Sequence, residues 1–423
     1  SSPMGKKPKG KFLYGYVITA SCFAIQAVGI GTFFSFGVLF NPLIAEFGWS
    51  RATVAGASSV AFLLMGFLGM GVGRLNDRIG PRKLMTVTGV FFGLGYLLMF
   101  KIEAVWQLYV FFGIIFGIGL SSIDVIALST IARWYVKRRG FMTGLVKVGT
   151  GAGQMTIPLL ASIFILRYGW RYSCIIIGVT VLVILVAIAQ LMRRDPSLMG
   201  LSPDGDAKVP AAGSLSAAEG LTLREALRTR QFWMLCAAFL AIVFCLMIVI
   251  VHIVPIARDI GVSPTRAAGI LSTIGGVSMA GRFVSGVAID RIGSKRLMLF
   301  CFILLIAALL WLRIAKTLWM LLIFAAIYGV AHGGFYTAFS PIVAEFFGIK
   351  SHGSLFGIAM FNGNFGGAVG PFLAGYIFDI TAGYASAIWI CTLIAALAFV
   401  LIWLLKPVGE SKTLIPWAAL GLI

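Results

Sequence analysis

Gly286-Val-Ala-Ile-Asp290-Arg291-Ile-Gly293-Ser-Lys295-Arg296 closes a stretch, 269–296, of apolar and small residues that carries one arginine, Arg282, in its middle. Its counterpart, Gly73-Arg-Leu-Asn-Asp77-Arg78-Ile-Gly80-Pro-Arg82-Lys83, lies early in the chain, and the two Asp-Arg-Ile-Gly tetrads stand 213 positions apart, 77 to 290. The same shift lays Pro42 on Pro255, Gly48 on Gly261, Gly56 on Gly269, Gly144 on Gly357, Gly153 on Gly366 and Pro158 on Pro371. Glycine and proline fix special backbone geometry, so agreement at such residues under one constant offset marks a duplication of structure.

The duplicated unit is built for a bilayer. Hydrophobic residues make up 60% of the chain and charged residues 11%, with a mean hydropathy of +1.01, and a soluble domain of this composition could not cover its own surface. Apolar runs of about 20 residues recur from Tyr14 to Lys406, each long enough to cross a hydrocarbon core of about 30 Å. The reading predicts an all-α membrane protein with spans at 14–40, 53–73, 84–100, 105–131, 141–165, 172–192, 231–257, 266–289, 297–312, 317–346, 354–378 and 385–405. These twelve fall into an N-terminal six-helix half, 1–194, and a C-terminal one, 231–423, joined by a linker, 195–230. Two parallel halves with a site between them are the plan of a secondary transporter.

A net charge of +20 would suit a nucleic-acid binder, but the placement of the charge argues otherwise. With both termini assigned to the cytoplasm, most of the 34 basic residues fall on cytoplasmic segments, among them Lys6, Lys7, Arg74, Arg78, Arg82, Lys137, Arg138, Arg139, Arg228 and Arg230. The outer loops keep Arg51, Lys101, Arg167, Arg171, Arg258, Arg266, Arg313 and Lys316. That bias sets orientation in a membrane, so no nucleic-acid partner is expected. The linker is rich in Pro, Gly, Ala and Ser and ends in Thr222-Leu-Arg-Glu225, a capping-box start for a short interfacial helix before Trp233. Six cysteines, Cys22, Cys174, Cys236, Cys245, Cys301 and Cys391, lie in apolar runs without paired spacing, which favours packing thiols over metal or redox roles. No metal or cofactor is expected, and no GxxxxGK[ST] loop is present to hold ATP. Ser1-Ser-Pro3, ahead of Met4, is left out of the fold reasoning.

Three charged residues are predicted to sit deep inside spans. Arg282 lies eight residues before Asp290, Lys147 eight after Arg139, and Asp124 nine before Arg133; at about 1.5 Å per residue each is about 12–14 Å from the inner boundary, near the midplane. An arginine there costs about 3 kcal/mol on insertion scales, cannot lose its charge, and needs a compensating partner. Two cations against one acid leave a surplus positive charge that a monocarboxylate would complete, with Arg282 offering a bidentate fork and Lys147 a second cation. The plainer alternative is that Asp124 neutralises one cation and the set only locks three helices together.

Asp124, His332 and His252 are the candidates for carrying a proton. Gln26, Phe335, Tyr336, Phe361, Asn362 and Asn364 are candidates for the remaining substrate contacts. Asp77, Arg78 and Arg82, with Asp290, Arg291 and Arg296, are candidates for a gate, because an aspartate at a helix end can pair with a neighbouring helix terminus in one state and release it in another. The alternative for both loops is a solvated basic turn that only sets topology.

The GxLxDRxGxRK pattern, twelve spans and two halves resemble the major facilitator superfamily over nearly the whole chain. Trp134-Tyr-Val-Lys137-Arg138-Arg139-Gly-Phe-Met-Thr-Gly144-Leu-Val-Lys147-Val-Gly149 is similar to the loop and fifth-span signature of its monocarboxylate porters. Ala226-Leu-Arg-Thr-Arg-Gln-Phe-Trp233 and Arg282 resemble the bacterial oxalate/formate branch. The resemblance implies proton-coupled symport of lactate- or pyruvate-like anions by alternating access, as a monomeric unit in a plasma membrane, a bacterial inner membrane being expected. It implies no enzyme activity. Anion exchange of the oxalate/formate type is the alternative, followed by a drug exporter or a transporter-like receptor. The chain departs from animal carriers in having Ser278 where they place an acid, and no lysine between Lys11 and Arg51. It departs from the oxalate type in reading Phe361-Asn362-Gly-Asn364 where a lysine is placed.

Overall fold

A computed structural model describes residues 13–205 and 220–406. The expected basic residues Lys6 and Lys7, both chain termini and the middle of the linker lie outside the described residues. The first half is formed by α1 (Leu13–Phe47), α2 (Arg51–Ile79), α3 (Pro81–Leu98), α4 (Val105–Trp134), α5 (Arg139–Tyr168) and α6 (Trp170–Leu191). The second half is formed by α7 (Arg230–Asp259), α8 (Pro264–Ile292), α9 (Ser294–Ile314), α10 (Leu318–Phe347), α11 (His352–Thr381) and α12 (Ala385–Leu404). Among the described residues, eleven helices are long and apolar enough to cross a membrane, and α11, richest in glycine and asparagine, is the long helix outside that group.

The 213-residue offset survives as geometry. Helices α2 and α8 begin at 51 and 264 and end at 79 and 292; α4 and α10, and α5 and α11, correspond just as closely at both ends. The turn after α2 is made at Gly80 and the turn after α8 at Gly293, both at φ 83°, a conformation that costs side-chain-bearing residues energy and glycine little. Gly169, at φ 85°, has Ala382 as its counterpart, and Ala382 adopts φ 55° although it carries a Cβ.

Helix α4 is not continuous. It carries a π-helical stretch, Tyr109–Phe116, then a turn at Ser121 and Ser122 before resuming as Ile123–Trp134. The hydroxyls of Ser121 and Ser122 donate to the carbonyls of Ile118 and Gly119, at 2.6 and 2.8 Å, which competes with the main-chain ladder and bends the helix. The break leaves Asp124 in the first turn of a new helix, where free N–H groups favour a carboxylate.

Within each half, α1 packs on α5 and α7 on α11, while the halves meet along α2 with α11 and α5 with α8. Both inter-half crossings are glycine seams. A Cβ on Gly73 would collide with the Gly353 carbonyl, and one on Gly357 would lie 2.6 Å from the Gly69 carbonyl; at the other crossing, one on Gly144 would lie 2.5 Å from the Arg282 carbonyl and one on Gly140 2.7 Å from that of Gly286. Without Cβ atoms the backbones approach closely enough for dispersion to hold them in a medium that offers no hydrophobic driving force.

Candidate functional site

The three intramembrane charges converge. The Lys147 ammonium on α5 pairs with Asp124 Oδ1 on α4, and Gln26 Nε2 on α1 donates to the same oxygen at 2.8 Å. Gln26 Oε1 accepts from Lys147 Nζ at 3.3 Å and from the Thr150 hydroxyl at 2.9 Å. Gln26 thus satisfies both the acid and the base, and three helices of the first half share one polar network. From the second half, Arg282 Nη1 donates to the Lys147 main-chain carbonyl at 2.9 Å, and its guanidinium lies 5.8 Å from the centre of the Tyr336 ring. Arg282 is 7% exposed, and its Nε is buried with no acceptor. Among the described residues no carboxylate stands within ion-pair distance of Arg282, and Asp124 pairs with Lys147.

Beside this cluster, His332 Nδ1 on α10 hydrogen-bonds Ser278 Oγ on α8 at 2.8 Å, and the His332 and Tyr336 rings lie 4.9 Å apart. Gly333 sets that register: a Cβ there would overlap the Ser278 carbonyl. Phe361 and Asn364 of α11 line a cavity between the halves together with Asp124, Gly66, Gly69 and Ser121.

Other expected contacts are placed elsewhere. Phe335 is fully buried edge-on against Phe302 of α9, 4.8 Å between ring centres, within its own half. Asn362 Nδ2 donates to the Ile358 carbonyl of its own helix at 2.9 Å. His252 bridges Tyr384 Oη and the Pro371 carbonyl, at 3.1 and 3.0 Å, tying α7 to α11 and to the residue that precedes α12.

The expected gate is a pair of helix caps. Asp77 accepts from the main-chain N–H groups of Gly353 and Ser354 and from the Ser354 hydroxyl, at 3.1, 2.8 and 2.8 Å, at the start of α11. Asp290 accepts from the N–H groups of Gly140 and Phe141, at 2.6 and 2.9 Å, at the start of α5. Each aspartate sits at the end of a helix in one half and caps a helix of the other, satisfying orphan donors and opposing the positive end of the dipole. Arg78, Arg291 and Arg296 are exposed. Arg82 Nε donates to Gln190 Oε1 at 3.1 Å, and Lys295, its repeat mate, donates to the carbonyls of Trp403 and Leu405 at 2.9 and 2.6 Å. Both fasten the third helix of a half to its sixth, not one half to the other.

Sequence reasoning missed Arg133, which served there only to mark the inner boundary of a span. It is 2% exposed, pairs with Asp77 at 2.9 Å and Asp195 at 3.4 Å, and reaches the Lys350 carbonyl. The available signal was its position in the last turn of an apolar span, level with the Asp77 turn. Asp204, from the linker, accepts from the N–H groups of Val136 and Lys137 at 2.8 and 2.7 Å. The capping box holds as read: Thr222 N donates to Glu225 Oε2 at 2.7 Å and opens the helix Leu223–Leu227.

The family model described as Major Facilitator Superfamily matches residues 22–286 and 244–422. The chain belongs to that superfamily. Like other members of the Major Facilitator Superfamily it is a multi-pass membrane transporter and not an enzyme. It is similar to monocarboxylate transporter 13 of Bos taurus, 27% identical over 377 residues that cover 88% of this chain and 85% of that one. It is also similar to monocarboxylate transporter 7 of Homo sapiens, 23% identical over 453 residues covering 93% and 86%. Of solved facilitator structures, the E. coli fucose:proton symporter superposes with a TM-score of 0.69 at 14% identity, covering 95% of this chain and 99% of that one. A human organic anion transporter gives the same TM-score at 15% identity, with 93% and 100% covered. These likenesses establish the fold.

Proposed function

We propose that the chain is a proton-coupled symporter of small monocarboxylates of the lactate or pyruvate type, working by alternating access between two six-helix halves joined by residues 195–230. The observation that carries the reading is Arg282, a buried arginine with an unused Nε–H and no carboxylate partner among the described residues. A substrate carboxylate reaching the guanidinium as the halves open would gain charge-assisted hydrogen bonds and supply the missing negative charge. Relatives named monocarboxylate transporters support the substrate class.

The arrangement also supports a role for Asp124 in coupling. Protonating Asp124 would free the Lys147 ammonium, on the residue whose main-chain carbonyl accepts from Arg282 Nη1. The bias of basic residues supports a cytoplasmic side for the Asp77 and Asp290 turns, hence a state closed to the cytoplasm, and we include α11 as a span beside the other eleven long helices. Transport would require both caps to release as the halves rock in the plasma membrane.

Uptake of labelled lactate and pyruvate into proteoliposomes, with and without an inward proton gradient, tests the reading. Gradient-stimulated uptake that Arg282→Ala abolishes, in a protein that still folds, is the expected result. Uptake indifferent to the gradient but dependent on internal anion would replace symport by exchange, and normal substrate affinity in Arg282→Ala would remove the arginine from the site.

A further inference from the structure

We infer that His332, braced by Ser278, donates a hydrogen bond to the oxygen on C2 of the substrate and so selects 2-oxo and 2-hydroxy acids over plain carboxylic acids. The inference rests on the reading of Arg282 as the carboxylate site. It assigns His332 to specificity and not to proton carriage.

The geometry is a rectangle of side chains on two helices. Ser278 and Arg282 stand four residues apart on α8, and His332 and Tyr336 four apart on α10, so each pair shares a face. The cross-links are the Ser278–His332 hydrogen bond of 2.8 Å and the approach of the Arg282 guanidinium to the Tyr336 ring, 5.8 Å. Gly281 and Gly333 bring the two backbones together, since a Cβ on Gly281 would lie 3.2 Å from the Val330 carbonyl. One turn, about 5.4 Å, separates the two rows, a span that one three-carbon acid can bridge with its carboxylate on one row and its C2 oxygen on the other.

The hydrogen-bond inventory favours one end of the imidazole as the donor. Among the described residues, the Ser278 hydroxyl has no bond to a carbonyl of its own helix and its one partner is His332 Nδ1. A hydroxyl donating to Nδ1 leaves the proton on Nε2. Nε2 has no protein partner among the described residues, and His332 is half-buried. A substrate without a C2 oxygen would leave that donor dry and unpaired, and discrimination by a donor in a closed site exceeds what an apolar wall achieves.

The test is competition for labelled pyruvate uptake in proteoliposomes by unlabelled lactate and by propionate, which has the same three carbons and no C2 oxygen. The wild-type protein should prefer lactate to propionate. His332→Phe, which keeps a ring beside Tyr336, should reduce that preference about tenfold, the worth of one such hydrogen bond. Stimulation by the proton gradient should be unchanged, and His332→Gln should restore part of the preference. An unchanged preference in His332→Phe overturns the inference, as does loss of gradient stimulation with the preference intact, which would make His332 a proton carrier. Should His332→Phe fail to fold by thermal melting, Ser278→Ala takes its place: it frees the imidazole to turn, and an undiminished lactate preference in that variant is equally fatal. Retained uptake in Arg282→Ala would instead refute the carboxylate site, so the two failures are distinct.

Discussion

Asp77 and Asp290 occupy the same place in the repeat and cap the same place in the opposite half: Gly353 and Ser354 receive the first, Gly140 and Phe141 the second. The two caps are not equal in strength. Asp77 also holds Arg133, whereas the position equivalent to Arg133 in the second half is Phe346. Helix capping by a carboxylate contributes about 0.5–2 kcal/mol, and Asp77 adds a buried ion pair. Asp77→Asn should therefore open the capped side more than Asp290→Asn, read as faster modification of a cysteine introduced at Ile349, which is buried just ahead of α11. Equal rates in the two variants would make the caps interchangeable.

The glycine seams should be as sensitive as the caps. In Gly73→Val the new side chain overlaps the Gly353 carbonyl, a backbone atom that cannot step aside. The expected outcome is a folded protein that cannot close α2 on α11, with uptake lost and the introduced Ile349 cysteine constantly reactive. Uptake at the wild-type rate would show that the seam need not close in the transport cycle.

Removing one member of the Lys147–Asp124 pair leaves an uncompensated charge, a loss of about 3–5 kcal/mol for a buried pair. Lys147→Gln and Asp124→Asn should each lower the melting temperature, and the double variant should recover much of the loss because its amides can still bond Gln26 and each other. Additive losses would indicate that the two residues do not act as a pair. Asp124→Asn should also remove the pH dependence of uptake, and a retained pH profile would leave Asp124 a structural partner of Lys147.

Ala382 carries the strain that Gly169 avoids at the equivalent turn. Ala382→Gly should raise stability by about 0.5–1 kcal/mol, and Gly169→Ala should lower it by about 1–2 kcal/mol, the cost of a left-handed residue with a Cβ. Thermal melts of both variants decide the point, and a destabilised Ala382→Gly would refute it.

The two-half plan was legible because its carriers are backbone-determining residues, Gly80 with Gly293 and Pro158 with Pro371, whose roles do not depend on what surrounds them. The Asp124 ion pair and the Asp77 and Asp290 helix-end contacts were legible as kinds of contact, though not which cation Asp124 takes or which helix each aspartate caps. Phe335 and Tyr336 differ by one position in the same apolar helix, yet one is sealed against α9 and the other faces Arg282. A helix that is apolar on every side gives no periodic signal of which face is turned inward.

The sequence alone determined the membrane class, the recurring glycine and proline pattern and the presence of costly charges within apolar runs, since these follow from hydropathy, chain geometry and solvation energy summed along the chain. Only the tertiary structure decided that Asp124 is spent on Lys147 while Arg282 is left with an open donor, and that Arg133 rather than Arg82 joins the Asp77 cap. The physical reason is that each of these depends on the rotation of a helix about its axis, and packing between distant segments fixes that rotation.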